Sequence, residues 1–115
     1  MINTSIGLFL VAALFGLYLA GRVFKGVLPS WTAVILHGLL AASGLAVLLY
    51  ALFTGVQTTV LLVAAGLLVV AALGGFVMFS FQLRKALPPK GIVVVHALAA
   101  VIGVVCLLGN AFGIV

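Results

Sequence analysis

The two halves of this sequence repeat one another at an offset of 59 residues. A Leu-Pro pair, a histidine, an alanine and a glycine recur with the same spacing, so that Leu28, Pro29, His37, Ala41 and Gly44 return as Leu87, Pro88, His96, Ala100 and Gly103. The match continues upstream, where Gly16 corresponds to Gly75. Self-similarity at a fixed period indicates an internal duplication. The fold is therefore expected to contain two like units, at about residues 5–55 and 64–114.

The repeated units are too apolar for a water-soluble fold. Hydrophobic residues make up 68% of the chain, and it contains no Asp or Glu. With 115 residues there is room for about four membrane spans of roughly 20 residues each. We therefore expect a single integral-membrane domain over residues 1–115. The start of the chain has no basic stretch of the signal-peptide kind, so the first span is expected to be retained as an anchor.

Four apolar stretches predict an all-α bundle of four transmembrane helices in up-down-up-down order. The expected spans are Ser5–Phe24, Trp31–Phe53, Thr59–Gln82 and Lys90–Phe112. Prolines lie in the first and third connections. They separate the flanking helices there, because proline cannot continue a helix but suits the first turn of the next one. Ser30 and Thr32 are candidates to cap the second helix.

All the basic residues lie in two of the three connections. These residues are Arg22, Lys25, Arg84, Lys85 and Lys90. The positive-inside rule predicts that this side faces the cytoplasm and that both termini lie on the non-cytoplasmic side, as expected for a bacterial inner-membrane protein. A second interpretation is that the cations do nothing except set this topology. So few charges in an insoluble chain do not suggest nucleic-acid binding.

The two histidines are the candidate functional residues, because polar groups inside a membrane are costly and mark functional sites. Each lies eight residues after the first proline of its turn, which is about 12 Å along a helix axis. Both are therefore expected inside the bilayer and at one depth. The second and fourth helices of such a bundle are diagonal neighbours, with axes on the order of 13 Å apart. That distance suits an imidazole–iron–imidazole arrangement with a flat macrocycle between the helices.

Small residues surround the expected histidine level. Ala41 and Gly44 follow His37 on its helix face, and Ala100 and Gly103 follow His96 in the same way. Gly16 and Gly75 lie at matching depth on the other two helices. This pattern predicts free space between the helices, large enough for a flat ligand of haem size. The alternative is that small residues only let membrane helices approach closely.

Other interpretations of the histidines are also open. An intramembrane histidine often serves only as a hydrogen-bonding group between helices. Zinc is disfavoured because it requires four ligands and no cysteine or carboxylate lies near. Cys106 is expected to be an inert buried thiol. A proton or ion pathway is disfavoured because the chain offers no acidic side chain.

The histidine and glycine pattern resembles the haem-holding four-helix core of membrane b-type cytochromes, such as cytochrome b of the quinol-oxidising complexes. The resemblance covers nearly the whole chain, as architecture rather than as alignable sequence. It implies that His37 and His96 are the axial ligands of a haem b, and that Gly16 and Gly75 face the porphyrin. Members of that family typically hold two histidine pairs, whereas this chain has one.

The expected function is therefore that of an electron carrier rather than a stand-alone enzyme. Bis-histidine ligation leaves no open position for oxygen chemistry, and Arg22, Lys25, Arg84, Lys85 or Lys90 would pair with the haem propionates. The expected partners are the lipid bilayer, a quinone or redox protein, and the other subunits of a respiratory or photosynthetic complex. The alternative is a cofactor-free accessory or assembly subunit of a larger membrane complex. A small drug exporter is disfavoured because it would need an intramembrane acidic residue.

Overall fold

A computed structural model of the protein describes residues 1–55 and 57–115, and the chain in these ranges is helical apart from its turns and ends. The helices are α1 (Ile2–Phe24), α2 (Trp31–Thr54), α3 (Thr59–Leu83) and α4 (Lys90–Ala111). Each is long and apolar enough to cross a membrane. The prediction of four membrane-length helices is confirmed; four of the eight helix ends coincide with the expected ones, and the other four differ by one to three residues.

Two of the helices, α2 and α3, begin with a side-chain N-cap. The Ser30 hydroxyl accepts a hydrogen bond from the Ala33 backbone N–H at 3.3 Å, and the Thr58 hydroxyl accepts one from the Leu61 N–H at 3.1 Å. Each bond satisfies one of the N–H groups that a helix start leaves without a partner. The predicted capping role of Ser30 is confirmed, while Thr32 lies inside the first turn of α2.

The two helices that end at the basic turns use the same C-terminal cap. In α1 the Val27 N–H donates to the Arg22 carbonyl, and in α3 the Ala86 N–H donates to the Phe81 carbonyl. This six-to-one bond defines a Schellman motif, which needs a left-handed residue just after the helix. Gly26 fills that position in the first turn with φ 76°, but Lys85 fills it in the second with φ 54°. A side chain there is strained by contact of its Cβ with the backbone.

Relief of this strain is the first prediction. Lys85→Gly is expected to raise the free energy of unfolding by about 1 kcal/mol, because glycine adopts the left-handed region without the Cβ penalty. The matched change Gly26→Ala is expected to lower it by a similar amount. Reversible unfolding in mixed detergent micelles measures both, and a Lys85→Gly variant that is less stable than the parent would contradict the strained cap.

Helix packing is uneven around the bundle. α1 packs extensively against α2, and α3 against α4, whereas the contacts of α1 with α4 and of α2 with α3 are fewer. Within the described ranges, the backbones of α2 and α4 do not approach each other, and neither do those of α1 and α3. The space between α2 and α4 is therefore bridged by side chains alone.

The large buried side chains lie in the half of the bundle away from the basic turns. The buried cluster there comprises Ile6, Phe9, Leu48, Leu52, Leu61, Ala64, Ala65, Leu68 and Leu107. Leu48 and Leu107, which are 59 residues apart, are both 0% exposed. Near the histidines the buried residues are mostly small, including Ala12, Ala71 and Ala99. The buried side chains therefore become smaller toward the level of the histidines.

Candidate functional site

The two histidines meet at the centre of the bundle. His37 projects from α2 and His96 from α4, and their ring centroids are 6.2 Å apart with 73° between the ring planes. Both side chains are half-buried. The backbones of α2 and α4 are not in contact, so at this level the imidazole pair is a side-chain contact between the two helices.

Each imidazole is held by a backbone carbonyl of the helix that packs beside it. His37 Nδ1 lies 2.8 Å from the Ala12 carbonyl oxygen, and His96 Nδ1 lies 2.7 Å from that of Ala71. A carbonyl only accepts, so in each pair the Nδ1–H donates. The proton of a neutral imidazole is thereby placed on Nδ1, and Nε2 keeps its lone pair for another partner.

These anchoring bonds repeat the sequence offset. The carbonyls of Ala12 and Ala71 are 59 residues apart, as are the two histidines, and each bond spans 25 residues of chain. The alanine carbonyls could not be predicted from the sequence, because every residue carries a backbone carbonyl and no residue type marks this one. The recurrence of Ala12 as Ala71, four residues before Gly16 and Gly75, is the one sequence signal at these positions.

Glycines allow the rings to reach those carbonyls. A Cβ added to Gly16 would lie 3.0 Å from His37 Cε1, and one added to Gly75 would lie 3.5 Å from His96 Cε1. Both glycines, which the resemblance predicts to face a porphyrin, lie against the imidazoles. Gly74 was not predicted, and a Cβ there would lie 3.4 Å from His96 Cβ.

The other predicted small residues divide into two groups. Ala41 and Ala100 are half-buried one helical turn from the histidines. Gly44 instead faces the Phe9 ring, with 3.2 Å from an added Cβ to the nearest ring atom, and Gly103 faces Leu68 at 2.8 Å. These two glycines let the paired helices pack closely, as small residues do in membranes. At both glycines the nearest side chain therefore belongs to the paired helix.

The five cations lie at one end of the bundle and differ in their surroundings. Arg84 Nε donates to the Ser80 carbonyl at 3.2 Å, and its guanidinium lies 4.4 Å from the centroid of the Phe81 ring. Lys90 Nζ lies 5.8 Å from the centroid of the Phe24 ring. Arg22 Nε is buried, and among the described residues it has no hydrogen-bond partner. The chain has no Asp or Glu, so the positive charge at this end is not neutralised by any acidic side chain of the protein.

The separation of the imidazoles can be compared with the spacing that one shared metal ion would impose. If both Nε2 atoms faced one ion, two metal–nitrogen bonds of about 2.0 Å in line would hold the imidazole centroids roughly 6 Å apart, close to the 6.2 Å observed. The part of the chain that the structure describes contains no cluster of three or more His, Cys or acidic side chains. A site with two protein ligands suits a macrocycle that supplies the remaining donors, rather than tetrahedral zinc.

Comparison with protein-family models, curated proteins and solved structures found no match to this chain. Its function is therefore inferred from the geometry of the histidine pair and its surroundings.

Proposed function

We propose that this chain is a small membrane b-type cytochrome that relays single electrons through one haem b held by His37 and His96. The observation that carries the proposal is the pair of imidazoles, each anchored at Nδ1 and 6.2 Å apart between centroids. The test is the absorption spectrum of the purified protein, recorded oxidised and then reduced.

The residues around the histidines suit axial ligation. The carbonyls of Ala12 and Ala71 fix the tautomer and orientation of each ring, and such outer partners also raise the basicity of the free nitrogen. Gly16 and Gly75 leave room for the rings to hold that position. A haem held by His37 and His96 would supply reversible one-electron chemistry at iron.

The basic end of the bundle suits the acidic edge of such a cofactor. Each histidine lies in the first third of its helix, six residues after Trp31 in α2 and six after Lys90 in α4. Cations from the adjacent turns would pair with the two propionates by charge-assisted hydrogen bonds. The candidates are Arg22, Lys25, Arg84 and Lys90.

The proposal includes an up-down-up-down bundle built from a duplicated two-helix unit. Its support is the recurrence at an offset of 59 residues of the anchoring bonds, of the contacts of Gly44 and Gly103, and of the buried Leu48 and Leu107. Each two-helix unit contributes one histidine, so two units packed together form a site with two ligands. The proposed location is the bacterial inner membrane, with both termini outside.

The orientation of the bundle has its own prediction. In a Cys106→Ala background, Asn3→Cys is expected to react with a membrane-impermeant thiol reagent from outside the cell. Val27→Cys is expected to react only after the cytoplasmic side is exposed, because the cations beside it stay inside. Both Asn3 and Val27 are exposed. Labelling of the Asn3 position only from the cytoplasmic side would invert the proposed topology.

The electron partner is proposed to be a quinone or a redox protein, with the chain acting alone or as a subunit of a larger respiratory or photosynthetic complex.

One observation favours a second candidate function, that of a cofactor-free accessory subunit. The 6.2 Å centroid separation also lies within the range of edge-to-face aromatic pairs, about 4.5–7 Å. In that case the histidines would only join α2 to α4, and the spectrum would show no haem.

A further inference from the structure

A groove with a volume of about 480 Å³ lies between α1 and α2 near the basic end of the bundle. Its apolar walls are formed by Leu14, Phe15, Ala33 and Leu36. Three hydroxyl-bearing residues complete it, namely Tyr18, Ser30 and Thr32. The hydroxyl residues lie toward the basic turn and the leucines toward the middle of the helices, so the groove changes from polar to apolar along the bundle. We call it the α1–α2 groove.

A cation, Arg22, lies one helical turn beyond Tyr18, toward the basic turn from the polar end of this groove. Its guanidinium carbon is 5.9 Å from the centroid of the Tyr18 ring. Its Nε is buried and makes no hydrogen bond to any described residue. The sequence contains no Asp or Glu, so no acidic side chain of this protein can serve as a counter-ion for Arg22. Haem carries two propionates, so even a bound haem leaves at least three of the five cations without an anion.

The second half of the chain does not repeat these polar residues. At the offset of 59, Tyr18, Arg22, Ser30 and Thr32 correspond to Val77, Phe81, Pro89 and Gly91. The histidines, their carbonyl anchors and the close-packed glycines occur in both halves. The polar set is therefore not required by the histidine pair or by the packing of paired helices. Its members therefore lie outside the duplicated site, and of them Ser30 also caps α2.

We propose that the α1–α2 groove binds one anionic phospholipid, with its phosphate at Arg22 and an acyl chain along Leu14 and Leu36. The order of groups matches such a lipid in a membrane, with the anion at the basic surface and the tail toward the bilayer centre. Ser30 and Thr32 add hydroxyl donors at the phosphate end, since a hydroxyl that accepts one hydrogen bond still has its proton to donate. With Arg22 taken by the phosphate, Lys25, Arg84 and Lys90 remain for the propionates of a bound haem.

Native mass spectrometry of the detergent-solubilised protein tests the proposal. The probes are dioleoyl-phosphatidylglycerol and dioleoyl-phosphatidylcholine, added at equal concentration. The parent chain is expected to retain one phosphatidylglycerol, with about fivefold preference over phosphatidylcholine, as expected for one cation acting on one anionic headgroup. Arg22→Gln is expected to abolish the preference. Lys85→Gln removes the same charge from the other turn and is expected to leave the preference intact.

A second variant tests the groove without changing charge. Leu14 is 68% exposed, so Leu14→Trp is expected to fill the groove without disturbing the core, and to release phosphatidylglycerol. Equal losses in Arg22→Gln and Lys85→Gln would show a non-specific charge effect and overturn the proposal. So would undiminished retention by Leu14→Trp, or displacement of the lipid by millimolar inorganic phosphate. If Arg22→Gln does not fold, the Leu14→Trp measurement decides the matter.

Discussion

The protein purified from haem-replete cells is expected to carry one six-coordinate, low-spin haem b per chain. The imidazoles of His37 and His96 would fill both axial positions, so the reduced form is expected not to bind carbon monoxide readily. Replacing either histidine by alanine is expected to abolish the low-spin spectrum, because each ring supplies one of the two axial bonds. Absorption spectra of the oxidised and reduced protein, with haem content per chain, measure these effects.

Cys106→Ala is the control for this prediction. The thiol is half-buried on α4, ten residues beyond His96, and its removal is expected to leave the spectrum unchanged. The absence of a Soret band from the parent protein would refute the relay function. The histidine pair would then be a contact between α2 and α4 in a cofactor-free subunit.

Leucine at the glycines beside the histidines is expected to lower haem affinity by about 10- to 100-fold, the usual cost of disturbing the groups that orient a metal ligand. At Gly16 an added Cβ already lies 3.0 Å from His37 Cε1, so a leucine must push the ring away from the Ala12 carbonyl. Gly75→Leu is expected to have a smaller effect, because the corresponding distance is 3.5 Å. Haem titration of the apoprotein measures all the variants.

Gly38→Leu provides a matched control within a helix. Gly38 follows His37 directly, yet no atom lies within 4 Å of an added Cβ at that position. All these changes replace a helical glycine by a good helix former, so they differ only in what the side chain meets. Equal haem affinity for Gly16→Leu and Gly38→Leu would show that Gly16 does not position His37.

The helices of this protein could be predicted from the sequence because their causes are local. Long apolar stretches between short turns set the helix lengths, and Pro29 and Pro88 mark two of the breaks. Ser30 was recognisable as a cap because it immediately precedes Trp31, the first residue of α2. Equal spacing from the two Leu-Pro pairs also predicted that His37 and His96 occupy corresponding positions, since helical rise converts spacing into depth.

The neighbours of each side chain were decided only by the tertiary structure. Spacing along a helix determines depth, but contacts across a bundle depend on how each helix is rotated about its axis and on which helix lies beside it. Gly44 therefore has the same sequence pattern as a cofactor-facing residue, yet it packs against Phe9. For the same reason the sequence identified the two histidines, while the backbone carbonyls of Ala12 and Ala71 that orient them became visible only in the folded bundle.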